Sequence, residues 1–375
     1  MSELQKSILK AKLPPRMPRG ATKKMAPFGA SRKKDYTPVS WKEYYAKQVD
    51  VETSEGVFKV YLSAEPDHED RPRIVTLHGG GYSALSWALF TKEITQMIQC
   101  QVISMDIRGH GETKVKDPED LSAETLAKDI EDVLLQMYPQ LPPLVLIGHS
   151  MGGALAVRAA LRDNLAHAVQ GIAVIDVVEG TAMDCLASMQ SFLRCRPTHF
   201  RSIEHAIEWC VRSGQVRNIE SARVSMPGQI VKYKWRIDLS TTERHWAGWF
   251  RGLSDMFLSV RAPKLLLLAS IDGLDTQLTL GQMQGKFEFR VLSRCGHAVH
   301  EDNPESVSSV LSGFVLRHRL TTAMPGAEHS IIRFYYALII DYRPVPISVI
   351  FRRVCYEQLN YLPAMVKTIL IKYAS

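Results

Sequence analysis

Three separated stretches of the 375-residue chain carry residue types that fit together as acyl-transfer chemistry. The first is Leu144-Val145-Leu146-Ile147-Gly148-His149-Ser150-Met151-Gly152-Gly153-Ala154, an apolar β-branched run ending in Gly-x-Ser-x-Gly. This pattern writes a sharp strand-to-helix turn that lifts a serine hydroxyl above the end of a sheet. Gly148 and Gly152 flank Ser150 because side chains there would collide with the turn and the approaching helix. The second stretch, Ile74-Val75-Thr76-Leu77-His78-Gly79-Gly80-Gly81, is another apolar strand running into glycines. The backbone N–H groups of Gly80 and Gly81, with that of Met151, are the expected oxyanion donors. The glycine run lacks the Lys-Ser/Thr ending of a phosphate-binding loop and the spacing of a dinucleotide fingerprint, which argues against a nucleotide site. The third stretch is Val291-Leu292-Ser293-Arg294-Cys295-Gly296-His297-Ala298-Val299-His300. A base on the loop after the last strand places histidine after serine in chain order, and His297 is the expected base. His300 is the lesser candidate, because a helix is about to begin there. His149, pointing away from the elbow, is expected to be structural.

A carboxylate must accept the imidazole N–H to hold its tautomer and stabilise the imidazolium. The loop Ser270-Ile271-Asp272-Gly273-Leu274-Asp275 offers two, and Asp176 at the end of Ile172-Ala173-Val174-Ile175 offers a third. Spacing alone favours Asp272, and the residues by themselves leave the choice open.

The elements that must position these groups alternate. Strands are expected at 57–62, 74–78, 101–106, 144–149, 171–176, 264–269 and 287–292, and helices at 83–100, 121–138 and 304–318. Leu126, Ile130, Val133, Leu134 and Met137 fall at helical spacing behind Ser122, a fitting N-cap. Strands alternating with helices imply a mostly parallel sheet covered on both faces, opened by two antiparallel strands, which suits an α/β-hydrolase. Nearly ninety residues between Asp176 and Pro263 show no further strand and hold Trp209, Trp235, Trp246 and Trp249. They read as an inserted helical lid at about 180–258.

The net charge of +7 is concentrated at the ends, with +8 in residues 1–35 and +3 in 321–375, which leaves −4 for the body. A mildly acidic body argues against a nucleic-acid-binding face. Residues 1–38 read as a basic, Pro- and Gly-containing disordered tail, 39–320 as the catalytic domain, and 321–375 as a divergent tail without a chemical motif. No apolar leader and no run of about 20 apolar residues appears, so neither a signal peptide nor a membrane span is expected. Six cysteines without a CxxC pair suggest reduced thiols of the cytoplasm or nucleus. No metal-ligand spacing is present, and no cofactor is expected.

Longer segments carry a resemblance. GHSMGGALAV from Gly148, IDVVEGTAMD from Ile175, ESARVSMPGQ from Glu220, WFRGLSDMFLS from Trp249, LTLGQMQGKF from Leu278 and CGHAVHED from Cys295 resemble the protein phosphatase methylesterase family. So do HGGGYSALSWALF from His78 and HGETKVKDPEDLSAETLAKD from His110, and the likeness spans about residues 35–320. The resemblance implies Ser150 as nucleophile, His297 as base and Asp176, within IDVVEG, as the acid. It also implies hydrolysis of the methyl ester on the C-terminal leucine of the protein phosphatase 2A catalytic subunit, met within its scaffold complex. The residues alone reach only a carboxyl-ester hydrolase. A small-molecule carboxylesterase or lipase, or a phosphatase-binding inhibitory module, are the alternatives. The chain departs from the family between Gln229 and Trp235, where family members carry a longer polar loop, and after Leu320.

Overall fold

The computed structural model describes residues 34–270 and 273–327. The tail segments 1–33 and 328–375, and the candidate acid Asp272, lie outside the described residues. The strands are β1 (Lys47–Thr53), β2 (Gly56–Leu62), β3 (Arg73–Leu77), β4 (Gln101–Met105), β5 (Lys114–Val115), β6 (Leu144–His149), β7 (Val169–Ile175), β10 (Lys264–Leu268) and β11 (Glu288–Val291). They form one sheet in the order β1-β2-β4-β3-β6-β7-β10-β11, with β5 beside β2. From β4 through β11 every pairing is parallel. β3, β4 and β6 are buried at every position. Helices on both faces leave no solvated side, so these strands are mostly apolar on both faces, and the buried Thr76 and Ser104 hydroxyls bond each other at 2.6 Å.

The opening of the sheet differs from expectation. β2 pairs antiparallel with β1 and with β4, whereas β3 runs parallel between β4 and β6. β1 carries no strand signal in the sequence, because Val51 is its sole buried residue. The expected helix at 83–100 is divided into a 3-10 turn, Ala84–Trp87, and an α-helix, Ala88–Met97. The helix Ala123–Met137 starts as anticipated, with the Ser122 side chain accepting the Thr125 N–H.

Leu126, Ile130 and Leu155 belong to the core on one face of the sheet, and Phe90, Ile94, Leu311 and Phe314 to the core on the other. Between β7 and β10 lie the helices Glu179–Arg194, Ile203–Ser213, Ile219–Gln229, Glu243–Phe250 and Leu253–Ser259. The segment after Gln229 closes as a hairpin of β8 (Ile230–Val231) and β9 (Lys234–Trp235), turned by Lys232 and Tyr233 at φ 48° and 62°. The chain stays on the body past Leu320. Gln99 N–H donates to Thr322 O and Met324 N–H to Met97 O, each at 2.9 Å.

Buried polar groups fix the loops above the sheet. Arg108 holds Asp129 through Nε at 2.6 Å and Nη2 at 2.7 Å, and Nη1 donates to the Asp117 carbonyl. His110, two residues on, donates from Nδ1 to Arg108 O at 2.9 Å and accepts the Gly81 N–H on Nε2 at 2.9 Å. His78 donates from Nδ1 to Gly79 O and accepts the Ile107 N–H. Each ring therefore needs one protonated and one bare nitrogen, and together they cross-link the turns that follow β3 and β4. Burial holds both neutral and pushes His110 down to about 4. Behind the serine turn, His300 lies fully buried between the rings of Trp87 and His149, at 4.2 and 4.6 Å.

Two outcomes follow from these buried groups. Asp129→Ala leaves the buried Arg108 guanidinium with only the more exposed Glu55 carboxylate at 3.6 Å, and should lower the unfolding free energy by about 3 kcal/mol, read as a fall in the urea midpoint. Burial lowers the His300 pKa to about 3, while the unfolded ring titrates near 6.5. Its folded pKa is depressed, so the stability contributed by the neutral ring is complete above about 6.5 and is lost as pH falls toward 3. Between pH 7 and 4, His300→Phe should therefore lose about 3 kcal/mol less stability than the parent chain. Melting temperatures of the two proteins across that range check it.

Candidate active site

Ser150 sits at the junction of β6 and the helix Met151–Ala160 with φ 54° and ψ −121°, a conformation that L-residues rarely adopt. Its N–H donates to Ile175 O at 3.0 Å, which ties the turn to the end of β7. A Cβ on Gly148 would lie 2.0 Å from the Gly152 carbonyl oxygen, and one on Gly152 would lie 2.2 Å from the Leu77 carbonyl oxygen. Both glycines are demanded by backbone contact, as the sequence pattern anticipates.

Asp176 also has a positive φ, 52°, immediately after β7. Its N–H donates to Leu267 O at 2.8 Å, and its Oδ1 accepts the Ala269 N–H at 2.9 Å. Its Oδ2 accepts from His297 Nδ1 at 2.8 Å, with both side chains largely buried. An ionised carboxylate only accepts, so the His297 proton is on Nδ1 and Nε2 is left bare. Asp275 is engaged elsewhere: it accepts the Leu278 N–H as a helix N-cap and is hydrogen-bonded to Ser254.

The loop bearing His297 is tied from three sides. Asp302 accepts the Gly296 N–H on Oδ2 and the Arg217 N–H on Oδ1, each at 2.6 Å. Arg217, from the inserted region, donates through Nη1 to Arg294 O. His149 donates from Nε2 to the His297 carbonyl at 2.8 Å. His149 is thus a buried support of the loop, in line with the structural part expected of it.

The glycine loop requires one correction. The Gly81 N–H is taken by His110, so it is not available to an oxyanion. The N–H groups of Gly80 and Met151 have no acceptor among the described residues. Gly79 lies closest to the nucleophile: a Cβ there would be 3.3 Å from Ser150 Cβ.

Ser150, Asp176, His297, Gly80, Gly81 and Met151 all line one cavity of about 150 Å³. Ala182, Leu186, Met189 and Leu193 on the helix Glu179–Arg194, with Trp246, Trp249 and Phe250, make its wall mostly apolar. His300 is not on that wall; it lies behind His149.

Sequence reasoning missed the groups that position rather than react. His78, His110 and Asp302 each tie their own loop to a backbone N–H far away in sequence, that of Ile107, Gly81 and Arg217. One signal for His110 is its place in a tight glycine turn directly after a strand. Nothing in the sequence signals that Arg217 reaches the histidine loop.

A sequence model described as the Alpha/beta hydrolase family matches residues 74–310. The human protein named Protein phosphatase methylesterase 1 is 47% identical over 388 aligned positions, covering 88% of this chain and 98% of the relative. A Caenorhabditis elegans protein named Probable protein phosphatase methylesterase 1 is 45% identical, covering 78% of this chain and 80% of its own length. Among solved structures, E-2-(Acetamidomethylene)succinate Hydrolase superposes with a TM-score of 0.60 at 17% identity. That match covers 72% of this chain and 98% of the other, and it shows a common fold. Identity near one half across most of the length, together with the matching family model, places this chain in the protein phosphatase methylesterase 1 family of α/β-hydrolases.

Proposed function

We propose that the chain is a serine carboxyl-ester hydrolase that removes the methyl ester from the C-terminal leucine of the protein phosphatase 2A catalytic subunit, met within its scaffold complex. The observation that carries the chemistry is the 2.8 Å bond from His297 Nδ1 to Asp176, in the cavity that also holds the strained Ser150. The names of the relatives support the phosphatase ester as substrate.

In this reading His297 Nε2 takes the Ser150 proton as Oγ attacks the ester carbonyl. The N–H groups of Gly80 and Met151 receive the oxyanion, and the N-terminal end of the helix Met151–Ala160 favours the same negative charge. His297 returns the proton to the methoxy oxygen, so methanol leaves and an acyl-serine remains. Water, deprotonated by His297, then releases the leucine carboxylate and restores Ser150. Asp176 holds the Nδ1 proton and stabilises the imidazolium throughout. The helices at about 180–258 act as a lid over the cavity, and the basic segment at 1–38 takes no part in the chemistry. No cofactor or metal is called for.

The compartment proposed is cytoplasm, nucleus or both, supported by the free thiols of Cys100, Cys195 and Cys210. Among the described residues no helix is long and apolar enough to cross a membrane. A second reading, a small-molecule esterase, is favoured by the apolar cavity wall. The two separate on incubation with methylated phosphatase: the proposed reading expects loss of the terminal methyl group, and its persistence alongside rapid nitrophenyl-ester hydrolysis selects the second.

Ser150→Ala should abolish labelling by a fluorophosphonate probe and lower demethylation by at least about 10³-fold. Asp176→Asn keeps the shape but favours the wrong imidazole tautomer, and turnover should fall on the order of 10⁴-fold. Asp272→Asn should be mild by comparison. Steady-state kinetics on one methyl ester substrate ranks these variants, and the opposite order for the two aspartates would move the acid to Asp272.

A further inference from the structure

The cavity wall holds a cation that the hydrolytic chemistry does not use. Arg196 follows the helix Glu179–Arg194, and its guanidinium lies over the Trp235 ring, 3.5 Å from the centroid. Its Nε is sealed from solvent without a hydrogen-bond partner among the described residues. Among the described residues no carboxylate comes within ion-pair distance of it, and Asp238 acts on it only from longer range. Arg108, Arg162 and Arg223 all have such partners. Desolvation pulls the Arg196 pKa down to about 10, which still leaves the group charged at neutral pH. A desolvated charge without a counter-ion is costly, and pairing it with an anion recovers that cost.

The platform beneath it is rigid. Trp235 donates its indole N–H to Pro197 O at 2.7 Å, next to Arg196 itself. Its ring meets Phe200 and Trp209 edge-on at 5.3 and 5.6 Å. The guanidinium, part of the cavity lining, is therefore held over a fixed ring with Nη1 toward Gly81, and a planar fork suits a carboxylate better than a mobile lysine would.

Position selects which anion. The glycine loop connects the two sites: Gly79 abuts Ser150, while a Cβ on Gly81 would lie 3.8 Å from Arg196 Nη1. Two residues of backbone span at most about 7 Å, and an extended peptide advances about 3.3–3.6 Å per residue. An anion at Arg196 thus belongs to the chain leading to the ester, not to the ester carbonyl. We propose that Arg196 on Trp235 is a specificity subsite for an acidic side chain within three residues upstream of the C-terminal methyl ester.

This inference rests on the peptide-ester reading above. The test uses the full chain and peptide leucine methyl esters carrying Asp or Asn at each of the three preceding positions. At one position the Asp ester should be preferred by about tenfold in kcat/KM, with the difference in KM. Arg196→Gln should bring that ratio to one, and Arg196→Lys should keep part of it. Equal use of Asp and Asn esters by the parent chain overturns the subsite whatever the variants do. A ratio unchanged in Arg196→Gln overturns it as well. If the glutamine variant melts early, calorimetric binding of the two esters to Ser150→Ala supplies the same comparison. Labelled Ser150 with no peptide ester hydrolysed would instead sink the peptide-ester reading, and the calorimetric ratio would still decide the subsite.

Discussion

Backbone crowding at the crossing of β6, β3 and the helix Met151–Ala160 governs everything above the sheet. The helix passes so close to the strands that Gly152 faces the Leu77 carbonyl and Gly148 faces Gly152, leaving no room for a Cβ on either. Ser150 is left at φ 54°, held by the helix on one side and by the Ile175 carbonyl on the other. A conformation of this kind costs on the order of 1–3 kcal/mol and survives only where surrounding packing over-determines it. Here the packing is two fully buried strands and a helix of small residues. The strain turns a side chain that would otherwise lie along the helix toward the open cavity. Asp176 repeats the arrangement one strand over, at φ 52°.

The loops around this crossing are fixed by buried polar groups rather than by regular structure. His78 and His110 each use both ring nitrogens, one donating and one accepting, to join the turns after β3 and β4. Asp106 adds to the same knot, accepting the Ala84 and Glu112 N–H groups, although burial pushes its pKa up to about 6. Asp302 does for the His297 loop what Asp106 does for the glycine loops. A loop at the top of a parallel sheet has no ladder to satisfy its backbone, and side-chain acceptors take that place.

Much of the fold was legible because buried parallel strands have only one way to be written. Residues 144–147 and 74–77 are almost wholly apolar and run within two residues into glycine, so their type and ends could be read directly. Lys47–Thr53 could not, since a half-exposed edge strand with Asp50 and Glu52 resembles a loop. Ser150 and His297 stand in local patterns, whereas Asp176 has none; the generic spacing points to a different loop, and family resemblance was needed to reach it. The N–H groups proposed for the oxyanion show a sharper limit. Gly80 and Gly81 are equivalent in sequence, and only the position of His110, twenty-nine residues away, removes Gly81 from use. Arg196 is likewise invisible, because its isolation is a property of what surrounds it in space.

The hairpin Ile230–Trp235 separates two kinds of change. Its turn residues, Lys232 and Tyr233, are exposed and take no part in the cavity lining, while Trp235 at its foot is anchored by Pro197, Phe200 and Trp209. Closing a longer loop between the same anchors costs only about 0.6 kcal/mol per doubling of length. Chain length at this point is therefore thermodynamically almost neutral, provided that the foot is kept. Descendants of one ancestral enzyme could lengthen or trim the tip freely and alter what the outer rim meets. The distance from Ser150 to His297 would not change, and recognition and turnover could drift at independent rates.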